Sequence, residues 1–204
     1  MNQHLIILPV IIQALLAVLM LFLWRMPKAQ RIVSITGSGF AIIIAASLLM
    51  EVWTDGTRVM PLGNWEAPFG ISLVGDLFAS TLVMLTAIVG FVVSIYSNTN
   101  MVAARIKFGY YAIFHFLIMG LSGAFLTGDI FNLYVWFEVI IISSFVLLTI
   151  GGRKIQIEGA VKYFTLNMLS SIVFLTGIAM LYGVTGSLNM AELATIIPTV
   201  ENKG

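Results

Sequence analysis

The sequence predicts an all-α, polytopic membrane protein that forms a single membrane domain over residues 1–204. Of the 204 residues, 60% are hydrophobic and only 9% are charged, whereas charged residues make up roughly a quarter of a soluble domain. The apolar residues also fall into runs of about 20, the length that a helix needs to cross a hydrocarbon core. Because the chain has no cysteine, disulfides, thiol catalysis and cysteine-ligated iron–sulfur clusters are excluded.

Six transmembrane helices are predicted, separated by polar or glycine-rich segments. Their expected bounds are residues 4–24, 32–53, 76–96, 108–126, 128–150 and 160–184. The first run is interpreted as a retained helix and not as a signal peptide, because its basic residues follow it instead of preceding it. Gly120, Ala124 and Gly128 repeat every four residues near the fourth helix, a small-residue stripe that favours close helix packing.

Residues 54–75 form a long polar segment that is expected to lie outside the membrane on the extracytoplasmic side. Its prolines, glycines and acids do not suit a lipid-exposed span, so a re-entrant or hairpin-forming loop is predicted, with Trp65 and Phe69 at the interface. Asp76 precedes the third apolar run and is predicted to be its N-cap. After the sixth helix, residues 185–204 are expected to form an interfacial tail with a short amphipathic piece.

The basic residues predict which side of the membrane each loop faces. If successive loops alternate sides, eight Lys and Arg residues fall on one side and two on the other, and the positive-inside rule assigns the richer side to the cytoplasm. The eight are Arg25, Lys28, Arg31, Arg105, Lys107, Arg153, Lys154 and Lys162, and the two are Arg58 and Lys203. Both ends of the segment are therefore expected to be extracytoplasmic.

Glu138 is the main candidate functional residue, because it lies almost at the centre of the fifth predicted helix. Placing an ionised carboxyl there costs from about 2.5 kcal/mol on insertion scales to far more in simulations, so such groups usually face a protein or aqueous interior and serve ion or proton movement. Helical spacing predicts that its face of the helix also carries Phe131, Tyr134, Ile142, Phe145 and Thr149.

Three further side chains are weaker candidates for a proton path. Tyr134, one turn from Glu138, can hydrogen-bond the carboxyl or act as an aromatic anchor at the interface. His115, in the fourth helix, is either a proton carrier or, more commonly, a neutral packing residue. Lys162 is expected roughly two to three turns from the level of Glu138, too far for a direct pair, and can equally be a snorkelling lysine.

One face of the sixth predicted helix carries Asn167, Ser170 and Ser171 together with Tyr163. These polar side chains can line an aqueous path, or they can hydrogen-bond a neighbouring helix. We favour the second interpretation. Glu138 is then left without an evident ionic partner in this chain.

Two long motifs resemble a known family. They are LSGAFLTGDIFNLYVWFEVIIISSFVLL, which contains Glu138, and EGAVKYFTLNMLSSIVFLTGIAMLYGVTGSLNMAELA, which follows it. Both closely resemble the D subunit of the bacterial Mrp-type multisubunit Na+/H+ antiporters, which is related to the antiporter-like membrane subunits of respiratory complex I. The similarity begins in the first helix, includes the loop LGNWEAPFGISLVGD, and covers the amino-terminal part of the family protein.

The resemblance implies a proton-translocating subunit built from inverted helical repeats, which lies in the bacterial plasma membrane within a complex of different subunits. It implies exchange of Na+, or of K+ or Li+ in its place, for H+, without a cofactor. In the family, the acid of the fifth helix pairs with a lysine of the seventh helix. Glu138 matches that acid, and the position of the lysine falls beyond Gly204.

Two alternatives remain open from the sequence. The first is a proton-pumping membrane-arm subunit of a quinone-linked NADH dehydrogenase-type complex, with the redox chemistry in other subunits. The second is a non-transporting assembly fragment in which Glu138 is paired and silent. The sequence contains no recognisable metal-ligand cluster, phosphate loop, nucleophile triad or nucleic-acid motif, so neither an enzyme active site nor nucleic-acid binding is predicted for this chain.

Overall fold

The computed structural model describes residues 3–64 and 70–200. Within them the helices are α1 (Leu8–Phe22), α2 (Pro27–Asp55), α3 (Leu77–Asn100), α4 (Ala103–Lys107), α5 (Tyr110–Leu126), α6 (Ile130–Thr149), α7 (Lys154–Thr185) and α8 (Met190–Ile196). The strands are β1 (Arg58–Pro61) and β2 (Ser72–Gly75), and short 3-10 turns cover Gln3–Leu5, Leu62–Asn64 and Ile197–Thr199. Trp65 and Phe69, expected at the interface, lie outside the described residues.

The chain is an all-α membrane protein with long apolar helices. Within the described part, α2, α3, α6 and α7 are each long and apolar enough to cross a membrane. Helices α1 and α5 are also apolar but have only 15 and 17 residues, which corresponds to about 22 and 25 Å at ~1.5 Å per residue. The result is four long apolar helices with shorter ones between them, a coarser picture than the six full spans predicted.

Several helix boundaries differ from those predicted. Helix α2 begins at Pro27 and not at residue 32, and α7 begins at Lys154 and not at residue 160. Proline suits the first helical position of α2 because it has no N–H to leave unpaired. At the start of α7, the N–H of Arg153 donates to Oε1 of Gln156 at 3.4 Å. Both helices thus begin with polar turns that hydropathy does not detect, and the expected loop before α5 contains the short helix α4.

Acidic caps begin two of the long helices. The carboxylate of Asp76 accepts from the N–H of Ala79 at 2.7 Å, which confirms its predicted N-cap role. Asp129 does the same for α6, where its carboxylate accepts from the N–H of Asn132 at 2.7 Å. These two acids are therefore already engaged as helix caps.

A small sheet at one end of the bundle is the exception to the all-α prediction. Within the predicted loop, β1 and β2 pair antiparallel, with Arg58 opposite Gly75 and Pro61 opposite Ser72. The pairing continues into two isolated bridges, Leu73 with Thr127 and Asp129 with Asn189. Backbone hydrogen bonds of this kind tie the loop, the α5–α6 turn and the segment after α7 to one another.

Helix α5 lies at the centre of the bundle, where it packs against α1, α3 and α6. Helix α7 packs chiefly against α6.

Two buried apolar clusters mark the ends of the bundle. The cluster near the sheet includes Ile6, Leu48, Val52, Leu73 and Leu126. The other contains Met20, Ile106, Tyr110, Tyr111 and Ala112, with Leu147 and Ile150 packed on it. The second cluster brings the end of α1, helix α4, the start of α5 and the end of α6 to one end of the bundle.

Glycines allow α5 and α6 to approach closely. A Cβ at Gly120 would press on Val139 and Ile140, and one at Gly123 would overlap the indole of Trp136. Gly120 thus has the packing role predicted for the stripe, whereas Gly128 lies after the helix against Ser72 and Val74. Gly123, which lies outside the predicted stripe, makes the tighter contact with α6.

Candidate functional site: a groove between α6 and α7

Glu138 lies in the middle of α6, half-buried, on the side of the helix that faces α7. Its Oε1 accepts a hydrogen bond from the hydroxyl of Ser171, a buried residue of α7. Among the described residues this is the only side chain that hydrogen-bonds the carboxyl. The interaction joins the two helices across their contact, close to the midpoint of both.

A half-open groove of about 370 Å³ runs between α6 and α7 beside this pair. Helix α6 contributes Tyr134, Phe137, Ile140 and Ile141, and α7 contributes Tyr163, Asn167, Ser170, Ser171 and Phe174. Ser171 therefore has two roles, since it lines the groove and also holds Glu138. Its hydroxyl connects the space between the helices to the carboxyl.

The polar side chains of the groove are turned partly toward their own helix. Asn167 donates to the carbonyl of Tyr163 at 2.7 Å, and Ser170 donates to the carbonyl of Leu166 at 3.0 Å. The amide and hydroxyl oxygens keep lone pairs for other donors. The groove wall is thus mainly apolar and aromatic, with a few oxygen acceptors from α7.

Tyr134 lies on the groove, but its hydroxyl does not hydrogen-bond Glu138 within the described residues. Its ring contacts Phe131 at a centroid distance of 6.0 Å and Phe174 at 6.4 Å. Ser171, and not Tyr134, is therefore the hydrogen-bond partner of Glu138. No spacing along the sequence points to residue 171, because the pairing depends on how α6 and α7 are aligned relative to each other.

Lys162 lies well away from Glu138. Its Nζ pairs with Oε1 of Glu158 at 3.0 Å, one turn earlier in α7, and both side chains are mostly exposed. Since Ser171 is level with Glu138, Lys162 is nine residues of helix away, or about 13 Å at ~1.5 Å per residue. This agrees with the expectation that the two residues form no direct pair.

His115 lies in a separate, fully buried polar cluster. Its Nδ1 is 2.7 Å from Oε1 of Gln13, and its Nε2 is 3.0 Å from the hydroxyl of Ser34. Ser34 in turn contacts Ser94 at 3.2 Å, and Ser94 contacts Ser38 at 3.0 Å. The cluster joins α1, α2, α3 and α5, and α6 and α7 contribute no side chain to it. The structure thus separates His115 from Glu138.

Comparison with known proteins places this arrangement in context. Residues 127–204 match the family described as NADH:quinone oxidoreductase/Mrp antiporter, TM. The chain is 44% identical over 195 residues to the D subunit of the Na(+)/H(+) antiporter of Bacillus subtilis (strain 168), covering 96% of this chain and 40% of that protein. The matched family region includes both Glu138 and Ser171.

Solved structures share the fold. A chain of the membrane-bound sulfane sulfur reductase, an archaeal respiratory membrane complex, superimposes with a TM-score of 0.91 at 28% identity, covering 98% of this chain and 41% of the other. A chain of the Mrp complex from Dietzia sp. DQ12-45-1b gives a TM-score of 0.81 at 23% identity, covering 97% and 39%. The present chain therefore spans about two fifths of the length of these relatives.

Proposed function

We propose that this chain, a homologue of the D subunit of the Mrp Na+/H+ antiporters with an antiporter-like fold, is a proton-translocating membrane subunit of a multisubunit cation/proton antiporter. In this proposal the chain is a transporter subunit and not an enzyme. The exchanged ions are H+ and a monovalent cation, with Na+ as the first candidate. The other subunits of the complex and the lipid bilayer are its partners.

Glu138 is the proton-path and charge-coupling residue in this proposal. The observation that carries it is the hydrogen bond from Ser171 to Glu138 in the middle of two apolar helices, beside a mainly apolar groove that Asn167, Ser170 and Ser171 also line. Ionisable groups at this depth usually serve ion or proton movement. The groove has room for several water molecules, which is what a proton needs to reach the carboxyl.

Ser171 supports both charge states of Glu138. A hydroxyl can donate to a carboxylate, and after rotation it can accept from a protonated carboxyl. The same pair of side chains therefore remains hydrogen-bonded whether Glu138 holds a proton or not. This lowers the cost of changing the charge in a medium where an unpartnered carboxylate is expensive.

We further propose that the end of the bundle with the basic residues faces the cytoplasm. The second buried cluster joins the segments that carry Arg25, Arg105 and Arg153 at one end, and the positive-inside rule assigns such an end to the cytoplasm. Helices α1 and α5 then cross the membrane together with the four longer helices. The expected exchange brings external H+ inward and moves the cation outward.

Transport by inverted membrane vesicles tests the role of Glu138. In cells that make the complete complex, Glu138→Gln should reduce cation-dependent proton movement to the background of vesicles without the protein, while Glu138→Asp keeps part of it. Glu158→Gln removes an exposed acid of α7 and serves as the matched control, with wild-type rates expected. Wild-type rates in Glu138→Gln vesicles would refute the proposal.

Two other functions make different predictions. The family that matches residues 127–204 is described as NADH:quinone oxidoreductase/Mrp antiporter, TM, so a membrane-arm subunit of a quinone-linked dehydrogenase is the second candidate. Purification of the native assembly distinguishes the two, because a dehydrogenase brings flavin and iron–sulfur subunits with it. If Glu138 served assembly alone, Glu138→Gln would prevent formation of the complex on native gels, and any complex that formed would transport normally.

A further inference from the structure

The basic end of the bundle contains a cavity of about 550 Å³. Four of the residues that line it are basic, namely Arg25, Lys28, Arg31 and Lys107. They come from the link between α1 and α2, from the first turns of α2, and from α4. Basic side chains from segments distant in the sequence thus line the same cavity.

Within the described residues, these charges are not neutralised by the protein. The ion pairs found there join Arg58 to Glu51 and Asp55, and Lys162 to Glu158, and no carboxylate lines the cavity. Arg31 uses Nη2 to donate to the carbonyl of Met101 at 2.7 Å. Its Nε is buried and has no hydrogen-bond partner in this part of the chain. The cavity therefore has unneutralised positive charge, and Arg31 is held at its wall by the bond to Met101.

The start of α2 adds to the positive potential of the same cavity. Met26 precedes this helix without a side-chain cap, and its first turn has no acid. The N–H groups of the first turn have no partner within the helix, and the N-terminus of a helix carries a partial positive charge. Met26, Pro27, Lys28 and Ala29 all line the cavity. An anion placed there would interact with side chains and backbone together.

Exposed apolar side chains neighbour the residues that line the cavity, along the chain or in its wall. Met26 lines the cavity and is 59% exposed. The ring of Trp24 packs against Gly109, so that the end of α1 contacts the start of α5. Phe22 and Phe108 are among the more exposed side chains of the protein, at 83% and 68%. A ligand that fits here has an anionic head and apolar chains. Basic pockets between membrane helices bind such lipid headgroups.

We propose that this cavity binds the phosphodiester headgroup of an anionic phospholipid, with the acyl chains against the exposed apolar side chains beside it. The positive-inside rule alone accounts for basic residues on this side, but not for their convergence on a cavity without acids. Arg153 and Lys154 obey the same rule and do not line the cavity. The proposal does not depend on the transport role of Glu138.

Lipid binding can be measured on the native assembly that contains this chain, extracted in detergent and examined by native mass spectrometry. The probes are phosphatidylglycerol and cardiolipin, with phosphatidylcholine as the neutral comparison. The test variant is Arg25→Gln with Lys28→Gln and Lys107→Gln, which keeps Arg31 because that residue holds Met101. The matched control is Arg153→Gln with Lys154→Gln.

The expected result is that anionic lipid stays bound to the wild-type protein and to the control, while the triple variant loses at least about tenfold in affinity. An equal loss in both variants would show general surface attraction and overturn the proposal. Displacement of the lipid by millimolar inorganic phosphate would overturn it in favour of a free-anion site. If the triple variant fails to fold, the exposed single change Lys28→Gln takes its place, and unchanged lipid binding there would also overturn the proposal.

Discussion

The bundle of α1, α2, α3 and α5 and the pair of α6 and α7 each contain a titratable side chain within an apolar helix, but in opposite surroundings. His115 is 0% exposed, and both ring nitrogens have partners on other helices. Glu138 is half-buried and shares one hydrogen bond with Ser171 beside an open groove. His115 is thus enclosed by fixed partners on other helices, whereas Glu138 has one partner and lies beside an open groove.

The orientation of the Gln13 amide sets the direction of hydrogen bonding through the His115 cluster. Because Gln13 presents Oε1, the ring carries its proton on Nδ1 and accepts from Ser34 on Nε2. Ser94 then donates to Ser34, and Ser38 donates to Ser94. Each hydroxyl in the chain is thus used, which fixes the relative positions of four helices. No comparable closed chain surrounds Glu138 within the described residues.

The largest effect on stability is expected from His115→Leu. It leaves Gln13 and Ser34 buried without their His115 partner, at about 2–6 kcal/mol for two such groups. Unfolding in mixed micelles measures the loss, and Ser122→Ala is the control, since Ser122 is equally buried on α5 but bonds only the carbonyl of Ile118. A stable His115→Leu protein without transport would reverse the comparison, because His115 would then belong to the proton path.

A somewhat smaller loss is expected from Gly123→Ala, at the contact that positions α6. The new methyl group would overlap the indole of Trp136, and overpacking of this kind costs about 1–3 kcal/mol. Gly177→Ala on α7 is the matched control because it meets open space and should be neutral or stabilising. Equal stability of the two variants would mean that the α5–α6 contact adapts easily and does not fix the position of Glu138.

Ser171→Ala should change stability little and transport more. A hydrogen bond between membrane helices contributes about 0.6 kcal/mol on average, so the unfolding midpoint shifts only slightly. The transport rate should fall several-fold, since Glu138 loses the group that accompanies its change of charge. Ser170→Ala is the control, because that hydroxyl bonds the backbone of its own helix. Identical rates in the two serine variants would remove Ser171 from the proposed path.

The smallest effect is expected from Lys162→Gln. The pair with Glu158 is 72% and 60% exposed, and exposed pairs of this kind contribute less than about 1 kcal/mol. Stability and transport should both remain close to wild type, as measured in the same micelles and vesicles. Loss of transport in a stable Lys162→Gln protein would place this lysine on the proton path after all.

The sequence was sufficient for the presence of the apolar helices, the Asp76 cap and the position of Glu138 in the middle of a long apolar helix, because hydropathy, capping and helical period are local properties. It was not sufficient for the partner of Glu138, since Ser171 meets it only through the alignment of α6 and α7. The hydrogen bonds of His115 were hidden for the same reason, as they join residues of four separate helices. A hairpin was one of the two forms predicted for residues 54–75, but the pairing of β1 with β2 and its register were not predicted, because they depend on contacts between residues distant in the sequence.

The backbone hydrogen bonds at the sheet end have a consequence for biosynthesis. Gly128 donates to Ser72, and Met190 donates to Gly128, so this closure requires segments from three distant parts of the chain. Ser171 follows Glu138 by 33 residues, so we expect the carboxyl of α6 to leave the ribosome before its partner on α7 has been made. The nascent α6 must tolerate an unpartnered carboxyl during insertion, and its long apolar sequence on either side of Glu138 is what makes that step feasible.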